Sequence, residues 1–504
     1  MRRAAPVLAG LLGLGISGCA YYNAMWSAER LARDARRMDA RGMISEARLN
    51  WARAATKAES VVVRHPTSRW ADDALVLQGE GLALSGACGA AARPLGRALR
   101  EVTEVALRER AALAAGECAL SRGSVDEAEQ LLAPVLVSRD ARRTSRAAYL
   151  AGRAALLRDD PTSAADRFAH SQLPEAASAR VRALAAAGRG PEAVAVTDSV
   201  ARRDADDARW GDALDSVGRT AGVETAADVL DRLLARGRIR AGGRGRLLLA
   251  DGDRLRHARR FERAASRYAA VVALVPDSVE AGLARVRALG GAVSQARGPG
   301  DLDELAVRAG ALGKSLHGMA LNELNELTRR IDDARRDDSA EVVGFRKAEL
   351  ARDSLDAPAL AAALFLRFAL RHPTSLFAPK ALIAAGQLRP ETLDSVGTVL
   401  QARYVESPYT LAFHGDQSPA FQVAEDSLAV ALGLARPRVF ASGAANQVVV
   451  APPRTGPRGP ELDPPSFASG SLGRGRAPAP KRPAARRPGE RPTERPDDRP
   501  DVRP

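Results

Sequence analysis

The stretch GDRLRHARRFERAASRYAAVVALVP, at residues 252–276, has the most regular pattern in the chain. Its small and apolar side chains recur every three or four positions, which is the period of an amphipathic α-helix and not of a β-strand. Gly252 precedes Ala264 by twelve residues, and Pro276 follows Ala264 by twelve. A small residue in each of two helices allows them to pack closely, and a proline beyond the second helix prevents it from continuing. The stretch therefore predicts a pair of packed helices.

This pattern resembles the tetratricopeptide repeat (TPR), a helix–turn–helix unit of about 34 residues. The resemblance implies an all-α fold, a TPR-like α-α superhelix (solenoid) whose concave surface binds peptides or protein segments. The family's usual tryptophan is absent. The positions that match the repeat are Gly252, Leu255, Phe261, Ala264, Tyr268 and Pro276.

The same glycine–alanine frame of twelve residues recurs earlier in the chain. Successive frames are displaced by 37 and then 36 residues, close to the length of one repeat. A single pair at this distance means little in a sequence rich in both residues, whereas three in near-regular succession predict an array. The pairs are Gly79 and Ala91, Gly116 and Ala128, and Gly152 and Ala164.

A second repeated motif occurs in two distant parts of the sequence. The motif RHPTS occurs at residues 64–68 and again at residues 371–375, and a large apolar residue follows each copy, at Trp70 and Phe377. We expect the proline to end one helix and the threonine or serine to cap the next.

Composition argues against nucleic-acid binding despite a net charge of +14. The arginines are interspersed with aspartate and glutamate at helical spacing, as in residues 332–336, which is typical of a solvated helix face with ion pairs. A nucleic-acid footprint would form a one-sided basic stripe. Aromatic residues make up only 4% of the chain, so the predicted core consists mostly of alanine, leucine and valine.

The amino terminus resembles the signal of bacterial lipoproteins. Arg2 and Arg3 precede a short apolar run that closes on Ile16, Ser17, Gly18 and Cys19. The resemblance implies a signal peptide at 1–18 and a lipidated Cys19 carrying several acyl chains such as palmitate. An ordinary secretory signal with a chance cysteine is the alternative. Ala20 in place of an aspartate implies the outer membrane, with the chain on its periplasmic face.

The sequence after the signal peptide divides into four segments by its helical pattern and composition. We predict a TPR-like array at 19–290, a linker at 291–300, a second helical, TPR-like region at 301–436 and a disordered Pro/Arg-rich tail at 437–504. Within the array, four closely spaced glycines predict a flexible break, at Gly237, Gly242, Gly243 and Gly245.

Cys88 and Cys118 are the two cysteines that remain once Cys19 is lipidated. An exported protein meets an oxidising compartment, where a disulfide is allowed. Neighbouring repeats could bring the two residues within bonding distance, and two buried, inert thiols are the alternative.

Two further segments have open interpretations. Tyr21, Tyr22 and Trp26 either lie at the lipid interface or pack on the first repeat. Residues 451–504 contain 14 of the 30 prolines, alternating with charged residues, and predict an extended tail. This tail is either a basic arm that reaches peptidoglycan or membrane headgroups, or a solubilising segment without a partner.

We find no sequence motif for catalysis, a metal or a cofactor. The six histidines have no metal-ligand spacing, and neither a GxSxG elbow, a P-loop nor a Rossmann fingerprint is present in the mature region. Acidic pairs such as Asp72-Asp73 and Asp159-Asp160 fit helix starts, where carboxylates favour the dipole. We therefore expect no enzyme activity and no cofactor.

The lipoprotein signal, the helical repeats and the PTSRWADDAL boundary at residues 66–75 together resemble two periplasmic families. One is the TPR lipoprotein of the barrel-assembly machinery, and the other is the Tol-associated cell-division coordinator. The resemblance implies a scaffold that binds envelope proteins on its concave repeat face. The alternatives are a peptidoglycan tether that acts through the basic tail, and an enzyme with a cryptic acid pair.

Overall fold

The computed structural model describes residues 23–336, 340–416 and 418–433, and every regular element in these ranges is helical. The predicted all-α fold is confirmed. The first helix, α1, covers 23–39. The others are α2 Ile44–Arg64, α3 Ala71–Leu84, α4 Cys88–Glu101, α5 Val105–Ser121, α6 Val125–Leu136, α7 Ala141–Leu157, α8 Pro161–Ala169, α9 Pro174–Ala186, α10 Gly190–Val200, α11 Asp207–Thr220, α12 Val223–Arg236, α13 Ala241–His257, α14 Phe261–Leu274, α15 Val279–Ser294, α16 Pro299–Gly313, α17 Gly318–Arg335, α18 Glu341–Asp353, α19 Pro358–Arg371, α20 Ala378–Leu388, α21 Leu393–Arg403, α22 Pro408–Phe413 and α23 Pro419–Ala431, with a 3₁₀ turn at Pro390–Thr392.

The helices form hairpins that stack in series. From α2 to α10 and from α11 to α21, each helix packs against the next in sequence. The odd-numbered helices from α3 to α17, which we term the first-helix row, also pack side by side, with the exception of α7 and α9. The packed pairs are α3 on α5, α5 on α7, and each of α9 to α15 on the following odd helix. The intervening even-numbered helices approach one another much less, with α10 and α12 the main exception. This difference indicates that the array curves toward the first-helix row.

The frame glycines allow this close packing, and their partners are large side chains sixteen residues further on. A Cβ atom added at Gly79 would lie 2.4 Å from Leu95, and one at Gly152 would lie 2.5 Å from Phe168. The same relation joins Gly116 to Leu132 and Gly252 to Tyr268. Each glycine therefore provides the space into which the second helix of its hairpin inserts one leucine or aromatic ring.

The frame alanines are also in the core. Ala91, Ala128 and Ala164 are completely inaccessible to solvent, and Ala264 is 2% exposed. Such small side chains let the helix backbones come close, but each buries little area, so dispersion contacts of the large residues opposite the glycines supply much of the packing.

A backbone signature marks the turn between the two helices of each hairpin. One residue there has a positive φ, a conformation that glycine adopts without steric cost. Where a frame glycine is present, the turn residue follows it by seven positions, as Gly86 follows Gly79. The turn residues are Gly86, Gly123, Asp159, Gly188, Gly222 and Arg259. Six consecutive hairpins, α3 to α14, therefore share one design.

Two of these hairpins have no frame glycine, and the sequence frame did not detect them. In α9–α10 and α11–α12 the corresponding positions hold Val181 and Asp215.

The predicted linker at 291–300 is wrong. Helix α15 continues to Ser294 and α16 begins at Pro299, so that only residues 295–298 separate them. One continuous cluster of buried side chains extends from Ala155 to Leu432 across this position. The two glycines at 290 and 291 lie inside α15 because their backbones adopt helical geometry.

The predicted flexible break is also wrong. Gly242, Gly243 and Gly245 lie in the first turns of α13, and the latter two are buried. A Cβ at Gly243 would lie 2.8 Å from Ile239, and one at Gly245 would lie 2.9 Å from Val275. These glycines permit close helix packing rather than chain flexibility.

Both RHPTS copies lie between helices, after α2 and after α19. Their threonine and serine are not N-caps, however, because the cap positions of α3 and α20 are Trp70 and Phe377, without a side-chain cap bond. The Ser375 hydroxyl instead accepts a hydrogen bond from the Phe377 backbone N–H at 3.0 Å.

Gly152→Ala tests the packing of the frame glycine. We expect a lower melting temperature, since the new methyl group must displace the Phe168 ring, and overpacking of this kind costs about 1–3 kcal/mol. Circular dichroism melts of the full chain measure the effect. The matched control is Gly310→Ala, a helical site with no heavy atom within 4 Å of the added Cβ. An equal change in both variants would contradict the packing account.

Candidate functional site

Pairs of arginine and carboxylate side chains connect successive helices of the first-helix row. In α5, Arg110 binds Glu80 of α3 at 2.5 Å. In α7, Arg146 binds Glu117 of α5 at 2.9 Å and Glu175 of α9 at 3.3 Å. These pairs join neighbouring hairpins and neutralise the side chains that form them.

The series continues in the later hairpins. Arg246 of α13 binds Asp207 of α11 at 2.9 Å. Arg287 of α15 binds Glu323 of α17 at 3.2 Å and also pairs with Asp253 of α13. We term these pairs the arginine–carboxylate ladder. Because the side chains are half-exposed, each pair contributes only about 0.2–1 kcal/mol to the stability of the fold, so the ladder aligns the hairpins more than it stabilises them.

Asp251 of α13 is a buried exception. Its side chain is 0% exposed, and it is bound by Arg254 at 3.1 Å and by Arg267 of α14 at 2.8 Å. A buried carboxylate needs such partners, since removal from water would otherwise be very costly. This pair network joins the two helices of the hairpin at residues 252–276.

The balance of arginines and carboxylates changes around Tyr149 on α7, which the Arg146–Glu175 ion pair joins to α9. The guanidinium carbon of Arg146 lies 5.6 Å from the centroid of the Tyr149 ring. Arg153 and Arg182 are close enough to act electrostatically on the phenol. We term Tyr149, Arg146, Arg153 and Arg182 the Tyr149 cluster.

Two carboxylates, Glu117 and Glu175, face the three arginines of this cluster, and both are bound by Arg146. Arg153 reaches Glu117 only at 3.8 Å, and Glu117 is already bound by Arg146. The Arg182 side chain has no hydrogen bond or ion pair with any residue in the described ranges. The cluster therefore presents positive charge beyond what its own carboxylates neutralise.

The Tyr149 ring packs against the ring of Phe168. Tyr149 is half-buried, and its ring centroid lies 5.7 Å from that of Phe168, the side chain that fills the space above Gly152. Burial raises the pKa of the Tyr149 phenol, which stays neutral at physiological pH. A fixed aromatic ring beside arginines is the composition typical of energetic centres in protein interfaces.

Sequence reasoning did not identify these four residues. Three of them lie near a frame glycine in the sequence. Arg146 is six residues before Gly152, Tyr149 is three residues before it, and Arg153 directly follows it. The spacing i, i+3, i+7 puts them on one helix face. The fourth, Arg182, belongs to a hairpin without a frame glycine, so only the structure brings it to the cluster.

The acidic pairs lie at helix starts, as predicted. Asp72 and Asp73 are in the first turn of α3, and burial raises the pKa of the Asp73 carboxyl. Asp160 caps α8, and the hydrogen bonds that its carboxylate accepts from Ser163 lower its pKa. These carboxylates lie at helix N-termini, where the helix dipole favours negative charge.

Neither a metal cluster nor a membrane span is found in the described ranges. Within 23–336, 340–416 and 418–433, no three His, Cys, Asp or Glu residues are grouped closely enough to hold a metal ion. No helix in the same part of the chain combines the length and apolar character needed to cross a bilayer.

Cys88 and Cys118 are joined by a disulfide bond. It links the first residue of α4 to α5, the first helix of the next hairpin, with a Cα–Cα distance of 5.4 Å. Cys19, Tyr21, Tyr22, the predicted signal peptide at 1–18 and the predicted tail at 437–504 lie outside the described residues.

Among known proteins, similarity to this chain is found in solved structures. No protein-family model matches the chain, and no curated protein matches it in sequence. A tetratricopeptide repeat protein from Parabacteroides merdae ATCC 43184 is similar at 14% identity, over 50% of this chain and 94% of that chain, with a TM-score of 0.30.

Two other solved structures are similar to the chain. Naa15/Naa10 bound to HypK-THB is 12% identical over 82% of this chain and 69% of that chain, with a TM-score of 0.25. The P58(IPK) TPR domain is 15% identical over 72% and 99%, with a TM-score of 0.18. At these TM-scores the superpositions are poor, and the hairpin fold follows from the helix contacts themselves.

Removal of the disulfide tests its contribution to stability. The double variant Cys88→Ser/Cys118→Ser releases a link across a sequence separation of 30 residues, and such links contribute about 2–4 kcal/mol. We expect a lower melting temperature than that of the oxidised parent chain. A reductant should lower the parent's melting temperature and leave the variant's unchanged. Insensitivity of the parent to reductant would contradict a stabilising bond.

Proposed function

We propose that this protein is a non-catalytic scaffold that binds protein segments along its first-helix row. The observation that carries the proposal is the Tyr149 cluster, where a fixed aromatic ring lies beside more arginines than its carboxylates neutralise. A partner with carboxylates beside an apolar side chain would match both features.

The curvature of the array favours an elongated partner. Successive first helices present one row of side chains, on which an extended peptide or a helix contacts several repeats. The ladder pairs limit nonspecific charge attraction elsewhere on this face, and specificity then depends on the few unbalanced positions.

The cellular setting of the proposal comes from the amino terminus. We propose a lipid anchor at Cys19 in the outer membrane, with the repeats on the periplasmic side, on the basis of the Ile16-Ser17-Gly18-Cys19 sequence and Ala20. In that compartment the partners are envelope proteins, and a role in their assembly is the specific form of the proposal. The Cys88–Cys118 disulfide fits an oxidising compartment.

Charge reversal in the Tyr149 cluster tests partner binding. We expect Arg153→Glu/Arg182→Glu to reduce the proteins recovered by in-cell crosslinking at least about tenfold, or about 1.4 kcal/mol. Quantitative mass spectrometry of the crosslinked material measures this loss. The control is Arg93→Glu/Arg100→Glu, which makes the same charge change at exposed arginines of α4, a second helix.

Equal losses in both double variants, or no loss in either, would contradict a binding role for the cluster. A circular dichroism melt of each variant shows whether the fold is retained. Deletion of residues 451–504 distinguishes the alternative, because wall fragments would disappear from the crosslinked material only if the tail binds them.

Cys19→Ser tests the lipid anchor. We expect the variant to lose incorporated radiolabelled palmitate and to leave the membrane fraction, because no other acyl attachment is proposed. The control is Cys88→Ser/Cys118→Ser, which should keep both the label and the membrane association. Labelling that persists in Cys19→Ser would refute the anchor.

A further inference from the structure

Helix α23, at the carboxyl end of the described residues, lies across the helices that precede it. In its first turn the Phe421 ring approaches the Tyr409 ring of α22, with centroids 5.7 Å apart. One turn later the Glu425 carboxylate accepts hydrogen bonds from the Lys380 ammonium of α20 at 2.6 and 2.7 Å. Contacts four residues apart on α23 therefore fall on two different helices.

The far end of α23 reaches a third helix. The Leu432 carbonyl accepts a hydrogen bond from Arg346 of α18 at 2.7 Å. Leu432 follows Glu425 by seven residues, or about 10 Å of helix, which is close to the usual distance between packed helices. Helix α23 thus crosses α18, α20 and α22 in turn. We term the surface of these three helices that it covers the α23-binding face.

These three helices correspond to the first helices of earlier hairpins. They alternate in sequence with α19 and α21, and α19 packs on both α18 and α20 as the second helix of one hairpin packs on the next. An amphipathic helix that lies across such helices is a recurring mode of peptide recognition. Helix α23 is therefore placed as a helical ligand would be, although it belongs to the same chain.

One side of α23 makes the contacts. Phe421, Glu425, Leu428 and Leu432 have the spacing i, i+4, i+7, i+11, which puts them on one face of a helix. Leu428 and Leu432 are buried in the continuous core. The pattern that occupies the face is thus an aromatic residue, an acidic residue and two leucines.

On the α23-binding face, a cation lies beside an aromatic ring. The Lys380 ammonium nitrogen lies 5.6 Å from the centroid of the Tyr409 ring while it binds Glu425. The Tyr149 cluster has a similar pair, with the Arg146 guanidinium carbon 5.6 Å from the Tyr149 ring centroid. Glu425 is an example of the helical carboxylate that such a pair binds.

Helix α23 is held weakly. Two of its thirteen residues are buried, against seven of the fourteen in α19. The Lys380–Glu425 pair is partly exposed, which limits its strength. The hydroxyls of Thr410 and Ser418 are buried without a hydrogen-bond partner in the described part of the chain, a cost that release of α23 would remove. A helix with so few buried contacts opens more readily than the rest of a fold.

We propose that α23 is a displaceable internal ligand, and that the α23-binding face accepts an amphipathic helix of a partner protein in its place. The partner helix carries an aromatic residue, an acidic residue four positions later, and aliphatic residues three and seven positions after the acid. Its carboxylate binds Lys380, and its aromatic ring packs on Tyr409. This face lies outside the first-helix row, and it depends neither on the Tyr149 cluster nor on the lipid anchor.

Binding of a synthetic α23 peptide to the full chain in nonionic detergent tests the proposal. The probe is residues 418–433 with an amino-terminal fluorophore, and fluorescence anisotropy measures its binding. We expect weak binding to the parent chain, whose face is occupied, and at least about tenfold tighter binding to the Glu425→Lys chain. That chain loses the charge-assisted hydrogen bonds of its own helix, whereas the peptide keeps its glutamate.

Two further variants separate this ion pair from other effects. Asp426→Lys makes the same charge change at the next residue, whose carboxylate accepts a hydrogen bond from Gln422 of the same helix, and it should bind the peptide as weakly as the parent does. Glu425→Lys/Lys380→Glu restores the pair with reversed signs and repels the glutamate of the peptide, so binding should return to the parent level. Circular dichroism melts show whether each variant keeps its fold.

Three peptide-binding results would overturn the proposal. They are no saturable binding to the Glu425→Lys chain, equal binding to that chain and the parent, and equal gains in Glu425→Lys and Asp426→Lys. Dimers of the parent chain that Glu425→Lys abolishes in analytical ultracentrifugation would also overturn it, because a second copy would then supply the helix. None of these results bears on the Tyr149 cluster, so that failure here is distinguishable from failure of the scaffold proposal.

Discussion

The close approach of a glycine in one helix to a leucine or aromatic side chain in the next is the contact on which the hairpins depend. Gly79, Gly116, Gly152 and Gly252 each receive a large side chain from sixteen residues further on. The core is otherwise rich in alanine, which brings helices together but buries little surface per residue. These few inserted side chains therefore define how each hairpin closes, and the ladder of arginine–carboxylate pairs then aligns one hairpin with the next.

The functional face follows from this packing. Phe168 fills the space above Gly152 and supports Tyr149 on the opposite side, so one contact links the core to the candidate site. The first-helix row gathers arginines whose carboxylate partners come from neighbouring hairpins, and Tyr149 lies where these partners become too few. The same array thus combines paired charges along its first helices with an excess of arginine beside Tyr149, and such a difference gives a repeat scaffold selectivity without a deep pocket.

Sequence alone predicted the all-α repeat fold because glycine, alanine and apolar residues recur at helical spacing. It failed where glycine can indicate either a flexible segment or close packing of helices. Gly243 and Gly245 suggested a flexible break, but both are buried in α13 against Ile239 and Val275. The glycine frame did not detect the hairpins at Val181 and Asp215 because these positions hold no glycine. The meeting of Arg182 with Tyr149 depends on how hairpins stack, and no local pattern specifies that.

Site-specific photocrosslinking tests the central claim, that the first-helix row is the binding surface, most directly. A benzophenone amino acid would replace Arg153 or Arg182 on first helices, and Arg93 or Arg232 on second helices, in the full-length protein in living bacteria. The account predicts discrete crosslinked proteins from the first two positions and little or none from the other two. Crosslinks that arise equally from both sets, or mainly from the second helices, would contradict it.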